Sequence, residues 1–182
     1  MSRVLVPLAQ GCEELEAITI TDLLVRAGID VTTAGLDSQP VKASRGTTLI
    51  ADTTIEAVSD ELFDLIVLPG GLPGADHLRD NQHVQALLKN HAAEGKYIGA
   101  ICAAPKALAQ AGLLEGKKAT GYPGVLAALG DPNIAVSEAA IEIDDKIVTS
   151  RGPGTAMDFA LTLIELLEGR ARRDEVEQQL VR

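Results

Sequence analysis

The sequence has no tryptophan, two tyrosines, two phenylalanines and two cysteines in 182 residues. A core so poor in aromatics must be built from alanine, valine, isoleucine and leucine, which suits a parallel sheet covered by helices. Cys12 and Cys102 lie too far apart to be a disulfide framework, and a reducing compartment would keep both as thiols. With them, only three scattered histidines (His77, His83 and His91) are available, and no metal-site spacing results. Neither a metal nor a cofactor is expected. Basic residues are outnumbered, 16 to 26, for a formal charge of -10. That balance disfavours non-specific binding to nucleic acid or to an anionic membrane. No apolar run approaches the ~18 residues of a transmembrane helix, and MSRVLVPLAQGCEE has no basic segment followed by a signal core. A cytoplasmic location is expected. What remains is a globular composition, 46% hydrophobic and 23% charged, and a length suited to one domain over residues 1–182.

Short apolar runs alternate with helical patterns along the chain. RVLVP is a candidate strand, Glu13 to Ala27 a helix closed by Gly28, and IDVTTAG a second strand. VKASRGTTLIA reads as a hairpin turning at Arg45-Gly46. DLIVLPGG is a strand ending in a glycine loop, followed by a helical turn over 75–79 and a helix over 81–94. YIGAI is the next strand, and a helix over 103–111 follows it. KKATGYP is a short strand and loop, and AAIEIDDKIVTS a hairpin turning at Asp144-Asp145. Helices over 155–168 and 172–180 end the chain. The β-α-β order followed by strand-helix units implies a doubly wound α/β sheet. In such sheets chemistry gathers at the carboxyl ends of strands. The loop before Glu16, the Gly70-Gly71 loop and Cys102 should all arrive there.

Cys102 lies where a strand turns into a helix, with Ala100 and Ala104 two residues to either side. A nucleophile on so tight a corner needs small neighbours, because backbones crowd there. The free N–H groups of the following helix favour a thiolate. The Ala103 N–H, with that of Gly71, could hold an oxyanion. The alternative is a buried, inert cysteine. Glu16 shares a helical stripe with Ile20, Leu23, Leu24 and Ala27, which should face the core. A carboxyl group on that stripe is costly unless protonated or paired. Kept neutral, it could donate a hydrogen bond to a thiolate or shuttle a proton. Equally, Glu16 could cap the helix or point outward beside Glu13 and Glu14. LPGGLPG has the spacing G-G-x-x-G, wrong for a dinucleotide fingerprint. His83 and His91 read as solvated on a surface helix, and His77 as a weak candidate near the site. No histidine follows Cys102, so an ordinary cysteine-protease arrangement is not expected. Cys12 is either a bystander or a resolving thiol for an oxidised Cys102.

These residues are familiar together: EELEAIT (13–19), DLLVRAGI (22–29), SRG (44–46), DLIVLPGG (64–71), GAICAAP (99–105) and TSRGPGTA (149–156). In this combination the chain resembles the ThiJ/PfpI superfamily, in its DJ-one branch of Parkinsonism-associated deglycases and within that the bacterial YajL type. The resemblance implies a flavodoxin-like three-layer α/β/α sandwich with a mostly parallel sheet, like that of class I glutamine amidotransferases, and a homodimer. It implies a reactive thiol at Cys102, its partner glutamate at Glu16, and oxyanion donors at Gly71 and Ala103. Arg26 and Arg45, with Asp22, match positions near the family's dimer interface, where arginines can hold an anion. Activities implied are conversion of methylglyoxal to lactate without glutathione, and deglycation of protein or nucleotide adducts. A cysteine that oxidises to a sulfinate, and a redox-responsive chaperone, are implied as well. The chain departs from the pattern at Tyr122, where some members carry histidine, and Ala103 excludes the branches with a Cys-His dipeptide. The sequence therefore supports a cysteine-dependent enzyme of small carbonyls acting as hydrolase or lyase. The alternative is a non-enzymatic redox sensor or chaperone acting through Cys102 sulfinate.

Overall fold

The computed structural model describes residues 1–182. Strand β1 (Arg3–Leu8) leads through a loop into helix α1 (Glu14–Arg26) and strand β2 (Asp30–Gly35). A hairpin of β3 (Val41–Lys42) and β4 (Thr48–Leu49) precedes the short β5 (Thr53–Thr54). Then come β6 (Leu65–Leu68), α2 (Gly74–Asp80), α3 (Gln82–Ala93), β7 (Tyr97–Ile101) and α4 (Pro105–Gln110). The chain finishes with β8 (Lys118–Ala119), β9 (Ala135–Val136), the hairpin β10 (Ile141–Asp144) and β11 (Ile147–Ser150), α5 (Ala156–Glu168) and α6 (Arg170–Gln179).

The central sheet has seven strands in the order β10-β11-β7-β6-β1-β2-β5. All neighbours run parallel except β10, which pairs antiparallel with β11. Alternation along the buried strands sorts side chains onto two faces. Val4, Val6, Leu65, Val67 and Ile101 pack with α1 and α5, whose core stripe includes Ile20, Leu24, Phe159 and Leu163. Leu5, Ile66, Leu68, Ile98 and Ala100 pack with α3 and α4 through Leu87, Leu88, Ala107 and Leu108. Both faces are covered, so the strands read as unbroken apolar runs. No helix is long and apolar enough to cross a membrane.

From β1 the chain builds outward through β2 and β5, then crosses to β6 and builds the other way through β7 and β11. The order reverses between β1 and β6, which opens a crevice at their carboxyl ends. The loops after β1, β6 and β7 converge there.

Sequence and structure differ in places. Strands β5 and β9 have two residues each, too few to show a periodicity. Helix α4 begins at Pro105, later than 103, because a turn comes first, in which the Ala104 N–H bonds back to the Ile101 carbonyl at 3.0 Å. Helix α6 starts earlier than expected, at Arg170.

His91 is a correction of substance: it is fully buried, not solvated. Its Nε2 accepts the Phe63 N–H at 2.9 Å, and Nδ1 lies 2.8 Å from the Leu87 carbonyl. The pairing requires the neutral ring, with its proton on Nδ1. The ring also stacks on Phe63. Burial pushes the His91 pKa below 6.5. A base held neutral in the fold adds stability that is complete above its unfolded pKa and declines as pH falls below it. Replacing His91 with Phe leaves the buried Phe63 N–H unpaired, at a cost of about 1–3 kcal/mol. In urea titrations at pH 7.5 and 5.5, the wild type should lose the His91 contribution at the lower pH, and H91F should not.

Candidate active site around Cys102

Cys102 follows directly on β7 with φ of 64°, a left-handed conformation that costs a non-glycine residue about 1–3 kcal/mol. The surroundings enforce it. The Cys102 N–H donates to the Ser150 carbonyl at 3.0 Å, and its carbonyl accepts the Tyr122 N–H at 2.8 Å. Ala100 and Ala104 are fully buried beside it, which explains the small residues two positions to either side. The residue is 8% exposed and lines a cleft of about 400 Å³ together with Glu13, Arg45, Gly71, Ala103 and Tyr122.

Glu16 is buried completely, so the outward and capping alternatives do not hold. It projects from the first turn of α1 along the stripe of Ile20, Leu23 and Leu24, all of them in the core. Its Oε2 accepts the Gly70 N–H at 2.7 Å. Its Oε1 is buried with no hydrogen-bond donor. Burial, above all, pushes the carboxyl up to about 7, against the pull of the Gly70 N–H and the neighbouring Cys102 side chain. An acceptor without a donor is costly, and a proton on Oε1 removes the deficit.

Burial also pushes the Cys102 thiol up, to about 12, and an ionised Glu16 contributes to that rise. The backbone N–H groups of Gly71 and Ala103 lie near enough to the sulfur to pull the other way. The Glu16 contribution exists only while Glu16 is charged. Once Glu16 carries the proton it becomes a donor, and every polar neighbour of the sulfur then favours the thiolate.

The glycine loop closes the site by close approach. A Cβ on Gly70 would stand 2.6 Å from Cys102 Cβ and 2.8 Å from both Glu16 Oε2 and the Ile101 carbonyl. Gly71 has φ of 88°, and a Cβ there would strike the Glu13 N and the Cys12 carbonyl carbon. The loop is therefore a backbone cradle.

Other candidate residues fall in different places. Arg45 lines the cleft at 78% side-chain exposure, with Nε 3.9 Å from Glu13 Oε2. Arg26 lies far along α1, paired with Asp22 at 2.7 Å. His77 lines a separate pocket with Gln10 and Asp37. Cys12 is fully buried, and burial pushes its thiol up to about 11. The sequence alone did not single out Glu13 or Ser44. The β3–β4 hairpin brings them together, with Ser44 Oγ donating to Glu13 Oε2 at 3.1 Å. Glu14 fastens the same hairpin by accepting the Arg45 N–H at 3.0 Å and the Thr47 N–H at 3.3 Å.

The stability supplied by the Glu16 proton is complete below its unfolded pKa of 4.5 and is lost as pH rises through 7. E16Q removes that dependence. Its stability relative to wild type should rise by up to about 3 kcal/mol between pH 5 and 8.5 in paired urea titrations. G70A should cost about 1–3 kcal/mol by overpacking and should slow the reaction of Cys102 with iodoacetamide, because the Glu16 contact must shift.

The DJ-1/PfpI family model matches residues 2–166. The chain is 46% identical to Arabidopsis thaliana protein DJ-1 homolog A over 98% of its own length and 46% of that protein. It spans less than half of each of the two Arabidopsis relatives, 46% and 41%. It is 42% identical to Drosophila melanogaster protein dj-1beta, covering 97% of this chain and 95% of that one. It is 34% identical to a Caenorhabditis elegans protein named glutathione-independent glyoxalase DJR-1.2, covering 94% and 91% of the two chains. The solved structure of oxidized Toxoplasma gondii DJ-1 superposes with a TM-score of 0.94 at 43% identity, covering 100% of this chain and 98% of that one. Sequence, sheet order and superposition agree that the chain belongs to the DJ-1/PfpI family.

Proposed function

We propose that the protein is a cysteine-dependent enzyme of small carbonyls, of the glutathione-independent glyoxalase and deglycase type. The observation that carries this reading is the buried Glu16, whose Oε1 lacks a donor beside the strained Cys102. A protonated carboxyl next to a thiolate supplies a nucleophile and a movable proton in one place. The name of the Caenorhabditis elegans relative supports the reaction class.

The chemistry follows from the positions. The Cys102 thiolate adds to the aldehyde carbon of methylglyoxal, and the aldehyde oxygen takes the Glu16 proton. Gly71 and Ala103 N–H groups steady the charge while it passes through that oxygen. The Glu16 carboxylate then removes the C1 proton of the hemithioacetal, giving an enediolate; the proton of the C1 hydroxyl passes to the C2 oxygen, and Glu16 returns its own proton to C2. The product is a lactoyl thioester on Cys102, which water cleaves to lactate and free thiol. Adducts of methylglyoxal on protein or nucleotide enter the same path once the thiolate displaces the modified group.

A specific observation also favours a second reading, in which Cys102 is an oxidation sensor or chaperone switch. A protonated Oε1 that can donate to a thiolate can equally donate to a sulfinate oxygen. The oxidized form of the Toxoplasma gondii relative supports it. For either reading we propose a homodimer. Leu15, Ile18 and Val25 are exposed along the outer face of α1, with Arg26 at the end of the same helix. A cytoplasmic location fits a reactive thiol kept reduced.

The test is lactate release from methylglyoxal, with an intact mass recorded for every sample. Wild type should turn over many times, C102S should not, and E16Q should fall by roughly 10²–10⁴-fold, as for loss of a general acid-base. Absence of turnover, with a gain of two oxygens on wild type but not on C102S under mild peroxide, would establish the sensor instead.

A further inference from the structure

Two backbone bonds pin Cys102 in its left-handed conformation, and both lead to one place in β11. The first is direct: the Ser150 carbonyl accepts the Cys102 N–H at 3.0 Å. The second is relayed. The Cys102 carbonyl accepts the Tyr122 N–H at 2.8 Å, and Tyr122 ends the arm Thr120–Tyr122 that leaves β8. Strand β8 belongs to a separate two-stranded sheet with β9. The arm itself is tied to the central sheet by a side chain, since the Thr149 hydroxyl accepts the Thr120 N–H at 2.9 Å. Thr120, Thr149 and Ser150 are all buried. The Thr120 hydroxyl is buried without a partner, so it adds no tether of its own. In the middle of the arm, a Cβ on Gly121 would stand 3.0 Å from the Cys102 carbonyl oxygen, so the arm lies directly against that carbonyl.

The Cys102 carbonyl and the Ala103 N–H belong to one planar trans peptide and point in opposite directions. Whatever holds that carbonyl therefore aims the Ala103 N–H. This N–H lies near enough to the sulfur to favour its charged form. Rotation of the peptide plane would turn the donor away and bring a carbonyl round in its place. We infer that Thr149 is a positioning residue of the site: its hydroxyl fixes the Thr120–Tyr122 arm, the arm holds the Cys102 carbonyl, and the carbonyl sets the direction of the Ala103 N–H. Thr149 does not line the cleft and acts only through the backbone. The inference rests on Cys102 being the reactive thiol, which the enzymatic and sensor readings share, and it is independent of the substrate.

Thr149→Val keeps the branched shape and removes the acceptor, whereas Thr149→Ser keeps the acceptor. A thermal melt would confirm that each variant folds. Amide hydrogen exchange reads the arm. Relative to the Ile98 N–H of β7, the Tyr122 N–H should exchange at least about tenfold faster in Thr149→Val than in wild type. The pH profile of Cys102 alkylation by iodoacetamide, located by peptide mass, reads the donor. Loss of a hydrogen bond to a charged group moves a pKa by about one to two units. The midpoint should therefore rise by at least about one unit in Thr149→Val, with a rate about tenfold lower at neutral pH. Thr149→Ser should restore exchange and alkylation to within about twofold of wild type. His91→Phe weakens the fold outside the site and should leave the midpoint in place. If Thr149→Val does not fold, Gly121→Ala decides, because its Cβ presses on the same carbonyl and should raise the midpoint too.

A midpoint that stays in place in Thr149→Val, or in Gly121→Ala where that variant decides, would overturn the inference. So would a Tyr122 N–H that exchanges no faster, a Thr149→Ser protein as altered as Thr149→Val, or an equal shift in His91→Phe. A wild-type Cys102 that iodoacetamide does not modify at any pH would reject the reactive-thiol reading itself. Tyr122 exchange alone would then decide whether Thr149 holds the arm.

Discussion

The site depends on one buried proton. Glu16 and Cys102 are both acids removed from water, and both are pushed up by that removal. Two charges there would repel at close range in a medium that screens them poorly. A proton on each would leave the Gly71 and Ala103 N–H groups facing a neutral thiol. A proton on the carboxyl with the charge on the sulfur would satisfy the buried Oε1 and the Gly71 and Ala103 N–H groups together, against the cost of burying the thiolate. Three nearby features favour that choice, and burial of the sulfur opposes it. Gly70 engages one carboxyl oxygen, the other has no donor, and backbone N–H groups converge on the thiol.

The proton can be held in this way only because the backbone leaves almost no room. Cys102 is held at a positive φ by hydrogen bonds on both sides, to Ser150 and from Tyr122. Gly70 lets a loop lie directly on the sulfur and the carboxyl, where any side chain would collide. The cost of the strained residue is met by the sheet. Strands β1, β6 and β7 are buried on both faces, and the corner hangs from their carboxyl ends. Sheet order therefore matters to chemistry. The reversal between β1 and β6 opens the space in which three separate loops meet.

Periodicity revealed most of the fold, because the strands are unbroken apolar runs and the helices carry clear stripes. The two-residue strands β5 and β9 escaped, since a ladder that short leaves no pattern. His91 escaped for another reason. Its burial comes from Phe63, 28 positions earlier, whose N–H needs an acceptor. No feature of the helix alone shows that demand.

The sequence by itself determined the α/β class, the strand-to-helix corner at Cys102 and the suspicion attached to Glu16. Each of these is local: a run, a small-residue spacing, a charge on an apolar stripe. Whether Glu16 faced in or out was undecided at that level, because a single charged residue can break a stripe or serve it. Only the tertiary structure decided it, by bringing Gly70 from 54 residues away to bond the carboxyl and seal it from water. The same holds for the cleft. Glu13, Arg45 and Tyr122 become its walls because a hairpin and two loops fold over the carboxyl ends of strands far apart in the chain. Contacts of that kind leave no local pattern, since they are set by the sheet order and not by the residues beside them in sequence.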